Sequence, residues 1–489
     1  MNGSTKGDAG EMVGDLGRWP LGAERRRRGR RWGSPVVVAL TLCVWVLLVG
    51  AQPAGAHPEL TGVGATAGQV RVTFSTPLEE AFLRLVVREG DGRVISGVAV
   101  RDARDPRAAV VALERPATAA AVVVWRVLGE DGHPATGAAS VAGILTGGDQ
   151  ADEGRAGANG APMLTARVLT LIGPLALGGM LVLVIGVLLP VLRVGGLRPP
   201  GGGQREAERV RAAVGEAVAA VAGAWRRAAA VGLVAWAVGL LMSPLALLWA
   251  LRAGWGDLGE LLSDTRFGVA WWWQVAGWAL AAGALALGAR RVDRWGFPQL
   301  GLLYAGALGA GVALVAISFG GHAGSGKDHV VNTGIDAVHS LATAAWLGGL
   351  AGLVVCAGLL GRRLAEPERV WLMAGVGGRF LALALGAVAV LTVTGIYRAL
   401  VELGAVGDLF STDYGRALLV KLVLFVVLLG FGAGNRFVLH PRLERAALRL
   451  AGDDRGAAHR LSVSIRAELA VGAALLVAVA VMIGFPPPG

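Results

Sequence analysis

Two places in the chain bring metal-ligating groups close together. One is Glu130-Asp131-Gly132-His133-Pro134, where a carboxylate and an imidazole two residues apart on a turn can converge on one ion. Gly132 between them eases the backbone reversal. The other is His57, which follows Ala54-Gly55-Ala56, the A-x-A form of a secretory cleavage site. Cutting after Ala56 makes His57 the first residue. An N-terminal histidine offers its amine and its imidazole Nδ1 to one ion as a chelate, and nitrogen donors in a planar arrangement suit Cu(II). Further along, His322 follows an apolar run, while Asp336 and His339 are three apart on one face of the next. That spacing predicts that the carboxylate orients the imidazole, with both histidines near one end of a helical bundle. His329 is expected in the connecting loop.

The elements that must hold these groups follow from the pattern. Residues 1–56 read as a signal peptide, with a basic stretch at 24–31, an apolar core from Val36 to Val49, and the cleavage site. Residues 57–147 then show short alternating segments, of which Gln69 to Phe74 is the clearest. Further strands are expected at 83–87, 94–100, 109–113, 120–127 and 140–145, spaced by turns, so an all-β sandwich of immunoglobulin- or cupredoxin-like form is expected. A flexible linker, 148–162, is rich in Gly, Ala and Asp. From 163 to 489 the chain reads as an all-α polytopic bundle of about eight transmembrane helices, near 165–192, 228–250, 268–288, 300–320, 335–359, 380–400, 415–435 and 467–485.

Composition excludes other classes. With 54% hydrophobic residues, the chain of 489 residues is too apolar for an ordinary soluble enzyme. Its net charge of +11 comes mainly from arginines in short loops between apolar runs, which is membrane topology rather than nucleic-acid binding. Those loops follow the first, third, fifth and seventh spans. The bias therefore puts the β domain and both mature termini outside a bacterial cell membrane. Cys43 and Cys356 both sit in apolar runs, so neither a disulfide framework nor a CxxC site is expected. Met180, Met242 and Met482 are single and scattered, which reads as packing. Lys421, inside the seventh span, is expected to pair with a carboxylate or carbonyl. An internal repeat is also visible. Thr265-Arg266-Phe267-Gly268 matches Thr412-Asp413-Tyr414-Gly415, and Gly178-Gly179 matches Gly348-Gly349. The glycine pairs put Leu169 opposite His339.

His57, the strand Val70-Arg71-Val72-Thr73-Phe74, and Val124-Trp125-Arg126-Val127 running into Asp131-Gly132-His133-Pro134 resemble the CopC family of periplasmic copper-binding proteins. The resemblance implies His57, Asp131 and His133 as Cu(II) ligands. Residues 57–160 hold no methionine, so a methionine-rich Cu(I) site is not expected. Gly321-His322-Ala323, Asp336 through His339 to Trp346-Leu347-Gly348-Gly349-Leu350, Thr394-Gly395, Lys421, Asn435-Arg436 and Arg466-Ala467-Glu468 resemble the CopD family of inner-membrane copper proteins. Together the two segments look like a CopC/CopD fusion of the YcnJ type. The resemblance implies that Cu(II) is captured outside and delivered to the bundle, where His322 and His339 are a candidate membrane copper site. Copper and the lipid bilayer are the expected partners, with an extracytoplasmic chaperone or reductase as a further one. No enzyme activity and no haem are expected. The competing readings are a copper-tolerance buffer or sensor, a copper-brace oxidoreductase and a haem-linked reductase.

Overall fold

The computed structural model describes residues 60–141, 160–194, 204–321, 323, 328–364, 366–447 and 456–485. The signal peptide, His57, nearly all of the linker and His322 lie outside the described residues.

Seven strands form two antiparallel sheets. One has the order β1 (Leu60–Ala65), β2 (Gln69–Phe74), β5 (Asp105–Leu113), β4 (Ser96–Asp102); the other has β3 (Leu78–Arg88), β6 (Val122–Gly129), β7 (Pro134–Ser140). Alternation decides which face is buried. Val70, Val72 and Phe74 point inward from β2, while Arg71 points out to Asp102 and Asp105. They meet Leu85, Val87, Val123, Trp125 and Val127 of the other sheet. Trp125 packs edge-on against Phe74 with ring centroids 6.0 Å apart.

The last strand departs from expectation. It runs over Pro134–Ser140 rather than 140–145, so Glu130 to His133 is a tight turn between neighbouring strands. Small residues dominate this strand because Trp125 lies across it: a Cβ on Gly137 would overlap the indole ring. That removes the large alternating side chains by which a strand is usually read.

The helical region follows. α1 runs Ala161–Leu183 and continues through a π-helical turn, Val184–Leu188, into Leu189–Val194. Then come α2 (Gln204–Ala250), a short α3 (Leu258–Ser263), α4 (Arg266–Gly288) and α5 (Leu300–Gly320). α6 starts at His329–Thr343 and passes through a π-turn, Ala344–Gly348, into Gly349–Arg363. α7 is Glu366–Glu402 and α8 a single turn, Asp408–Ser411. α9 covers Asp413–Gly434, a π-turn at Asn435–Leu439 and then His440–Ala447, and α10 is Ala457–Met482. Among the described residues, seven helices are long and apolar enough to cross a membrane. The third expected span, 268–288, is the 23-residue α4. Trp271, Trp272, Trp273, Gln274 and Trp278 lower its mean hydropathy, so it does not join the seven. Trp249, Trp255, Trp272 and Trp273 are exposed.

The repeat is structural. Thr265 and Thr412 each cap a helix by accepting from the amide of Gly268 and Gly415, at 3.1 and 3.0 Å. In each half a short helix precedes the cap, and a Cβ on the glycine would overlap that helix's backbone. Gly179 of α1 lies against Gly348 of α6, so the glycine-paired segments of the two halves touch. Leu169 sits on Gly239 of α2 as the His339 ring sits on Gly395 of α7.

Candidate metal centre

The turn between β6 and β7 is held by backbone bonds. Gly132 N–H donates to Gly129 O at 2.9 Å, and Gly129 N–H to His133 O at 2.8 Å. Glu130 N–H reaches Pro77 O at 2.9 Å, tying the turn to the start of β3. Gly132 takes φ +80°, the left-handed conformation that a side chain would strain. Its Cα faces Gly320 O at the end of α5, and an added Cβ would come to 3.2 Å from that oxygen. Asp131 and His133 are buried, with 6% and 3% of their surface exposed. Asp131 Oδ1 accepts from His133 N–H at 3.1 Å, and Oδ2 lies 3.2 Å from Nδ1.

The imidazole's other nitrogen settles its role. Nε2 lies 2.8 Å from Ile483 O at the end of α10. A carbonyl can only accept, so Nε2 carries a proton and donates. In the neutral ring this leaves the Nδ1 lone pair facing the Asp131 carboxylate, so that either a proton or a metal ion between them satisfies both. Their 3.2 Å separation is close to the edge between two neighbouring ligands bonded at about 2.0–2.2 Å to one ion. The donor set therefore fits a metal in kind. Among the described residues no group of three His, Cys, Asp or Glu side chains could hold one.

This turn is seated on one end of the bundle. Glu79 Oε1 accepts from Arg266 N–H at 3.0 Å, Arg126 donates to Arg252 O at 2.8 Å, and Arg84 pairs with Glu260. Phe82 and Leu128 fill an apolar cluster with Met163, Ala166, Leu247, Leu251 and Leu261. Arg167 of α1 is near enough to Asp131 to interact electrostatically.

Glu79 makes this junction sensitive to pH. Burial pushes its carboxyl above the usual range and nearby Glu130 adds to this, while the Arg266 N–H opposes. A carboxyl raised in the docked state stabilises docking below the ordinary carboxylate range and loses that contribution as pH rises through its own value. Hydrogen exchange at the Arg266 amide, corrected for intrinsic rate, should therefore speed up as pH rises through that window. Glu79→Gln keeps the acceptor and should flatten the profile. An identical slope in the variant would exclude Glu79 as the source.

Inside the bundle the expected pairing is rearranged. α6 begins at His329, which is not in a loop, so His339 lies ten residues in, about 15 Å along the axis. It is not at the mouth. Its Nδ1 is 2.8 Å from Thr394 Oγ1, and that hydroxyl donates to Val390 O at 2.7 Å. Nδ1 therefore donates, leaving the Nε2 lone pair as a potential ligand. Asp336 does not orient it. Its carboxylate pairs with Arg398 of α7, which also pairs with Glu402, and the Tyr414 hydroxyl donates to Glu402. Lys421 interacts with Glu402 and Arg398 through charge. Arg398 was missed in the sequence because it stands alone near the end of a long apolar run. Its i,i+4 spacing to Glu402 was the available signal. Met180 and Met482 are buried in apolar clusters, and Met242 packs against another.

Comparison with known proteins fits this geometry. The family model "CopC domain" matches residues 54–141, which contain His57, Asp131 and His133. "Copper resistance protein D" matches 374–482, which begins beyond His339. The chain is 30% identical over 257 residues to "Copper transport protein CutJ" of Bacillus subtilis, covering 51% of this chain but only 43% of that protein. It is 29% identical over 252 residues to "Copper resistance protein D" of Pseudomonas syringae pv. tomato, covering 49% of this chain and 77% of the relative. "Inner membrane protein YebZ" of Escherichia coli is 28% identical over 242 residues, 48% of this chain and 76% of that protein. A two-sheet β domain and seven apolar helices accompany these matches. The chain thus carries a CopC domain and a CopD domain in one polypeptide, together with seven helices among the described residues that are long and apolar enough to cross a membrane.

Proposed function

We propose that the protein captures Cu(II) at His57, Asp131 and His133 outside the inner membrane and passes it into the bundle for import. Support comes first from one contact: the Asp131-Gly132-His133 turn is already docked on the bundle, with His133 on Ile483 O and Gly132 against Gly320 O. Gly320 is two residues before His322. Captured metal therefore need not diffuse between separate proteins.

The reading requires His57 to return to this turn. Leu60 pairs with Phe74, and the chain from Phe74 leads through Pro77 to the strand start that pairs with Gly129. Between His57 and Leu60 the chain spans at most about 10 Å, which sets how far that return can reach. His339 Nε2 is the onward ligand, with the β domain and both mature termini on the extracytoplasmic side.

Uptake of radioactive copper under limitation tests the reading. Cells lacking the protein should accumulate several-fold less, and the wild-type gene should restore the rate. A normal rate in the deletion strain would overturn import and leave a copper buffer or sensor.

A further inference from the structure

Glu468 is a buried carboxyl inside a membrane span, with 4% of its surface exposed. It lies nine residues into the 24-residue span His459–Met482, about 14 Å along the axis and so near mid-depth. Asn435 Nδ2 donates to it at 2.9 Å, and the Trp346 indole N–H donates as well. Ser464 completes the set by donating to Asn435 Oδ1 at 2.6 Å. Trp346 and Asn435 each stand in a π-helical turn, Ala344–Gly348 of α6 and Asn435–Leu439 of α9. Two π-turns from distant parts of the chain thus converge on one carboxyl. Such turns insert a residue into the helix at a cost in regularity and occur often at functional positions.

Charge is the unusual feature. Glu468's partners among the described residues are neutral. Among the described residues, the charged and titratable groups on the neighbouring helices have contacts elsewhere; Arg436, next to Asn435, lies over the Phe437 ring. Lys421 of α9 faces Arg398 and Glu402, and His440 lies against Gly377 and Gly378 of α7. On α6, Asp336 faces Arg398 and His339 faces Thr394. Cys356 of the same helix is in the apolar core. Arg466, on Glu468's own helix, approaches Gly358, and Arg167 of α1 interacts with Asp131 at the outer end. An anion without a cation at this depth is costly, while a neutral carboxylic acid is not. Two donors reduce the cost of the anion without cancelling it, which suits a group that holds a proton and can release it. Oxygen and amide donors without sulfur or imidazole do not favour Cu(I) at this position.

We propose that Glu468 is an intramembrane proton-binding site, protonated at rest and ionised when cargo charge enters the bundle. The O–H bond breaks, its electron pair stays on the carboxylate, and the proton leaves to water. One positive charge of the cargo takes its place, so the exchange is electrically neutral. Coupling to cargo rests on the import reading above; the protonation itself does not.

Infrared difference spectroscopy of the full chain in lipid bilayers, between mildly acidic and mildly alkaline buffer, tests it. The wild type should show a protonated-carboxyl C=O band at neutral pH that disappears on the alkaline side. Glu468→Gln should lack that band, and Asn435→Ala should shift it. Glu468→Asp gives the same assignment, as a displaced band, if the amide variant does not fold. A wild-type spectrum without such a band, or with one that never titrates, overturns the proposal. In copper-loaded vesicles, copper-driven proton release should be lost in Glu468→Gln. Proton release equal to the wild type's would overturn the coupling. Absence of copper movement in the wild type, with the band still titrating, would overturn import while leaving the proton site standing.

Discussion

His133→Ala should weaken Cu(II) binding at least 100-fold and loosen the β domain from the bundle in the same molecule. The ring has two roles at once. Nδ1 faces the Asp131 carboxylate 3.2 Å away, while Nε2 donates to Ile483 O at 2.8 Å. Losing Nδ1 removes the direct ligand proposed above, a larger loss than the roughly 10–100-fold that follows from changing a group one bond removed from the metal. Losing Nε2 leaves a helix-end carbonyl without this donor at a buried seam. A second variant separates the two effects. One extra residue ahead of His57 should block the amine chelate and change the Cu(II) electron paramagnetic resonance spectrum, yet leave the Ile483 contact intact. Competition titration measures the first effect, and hydrogen exchange at the seam the second. If the extended N-terminus bound Cu(II) with unchanged affinity and spectrum, the amine would not be a ligand and the capture site would be wrong.

Arg398→Ala should be among the most destabilising single changes in the bundle, at about 3–5 kcal/mol. The guanidinium is shared by Asp336 of α6 and Glu402 of its own helix, and both carboxylates are mostly buried. Truncation strands two acids that the surrounding apolar helices cannot solvate. Arg398→Lys keeps a charge but not the fork that reaches both partners, so its cost should be intermediate. Adding Asp336→Asn and Glu402→Gln to Arg398→Ala should recover part of the loss, because both stranded acids are then neutral and only Lys421 is left without its carboxylate. Thermal unfolding in detergent checks the order: alanine lowest, lysine between, and the triple variant above alanine. A triple variant no more stable than Arg398→Ala would show that packing, not charge pairing, sets the effect.

These residues show what a linear reading can reach. Gln69–Phe74 is legible because Val70, Val72 and Phe74 alternate with polar residues. The spans are legible because apolar length is a one-dimensional property. Pro134–Ser140 is not, since its small residues are chosen by Trp125 on the neighbouring strand. Asp336 and His339 have the spacing of a pair, yet each finds its partner on α7, in Arg398 and Thr394. Spacing shows which residues share a face and says nothing of what faces them. The π-turns leave no mark in composition, so the meeting of Trp346, Asn435 and Glu468 emerges only in three dimensions. The repeat was legible from its threonine caps and glycine pairs. Its asymmetry, Leu169 where the second half has His339, was legible too, but not that each side chain rests on a glycine of the next long helix.

The exposed tryptophans bear on where the proposed capture would take place. Trp249 and Trp255 flank Arg252, whose carbonyl receives Arg126 of the sandwich, and Trp272 and Trp273 stand within two turns of Arg266, whose amide receives Glu79. Indole rings settle at the boundary between acyl chains and water. This ring of anchors therefore acts as a depth gauge, holding the sandwich down at the level of the lipid phosphates. On the capture reading proposed above, copper would reach the turn through the cation-enriched layer at a lipid surface. On that reading, the supply to the turn depends on the composition of the facing leaflet as well as on the medium.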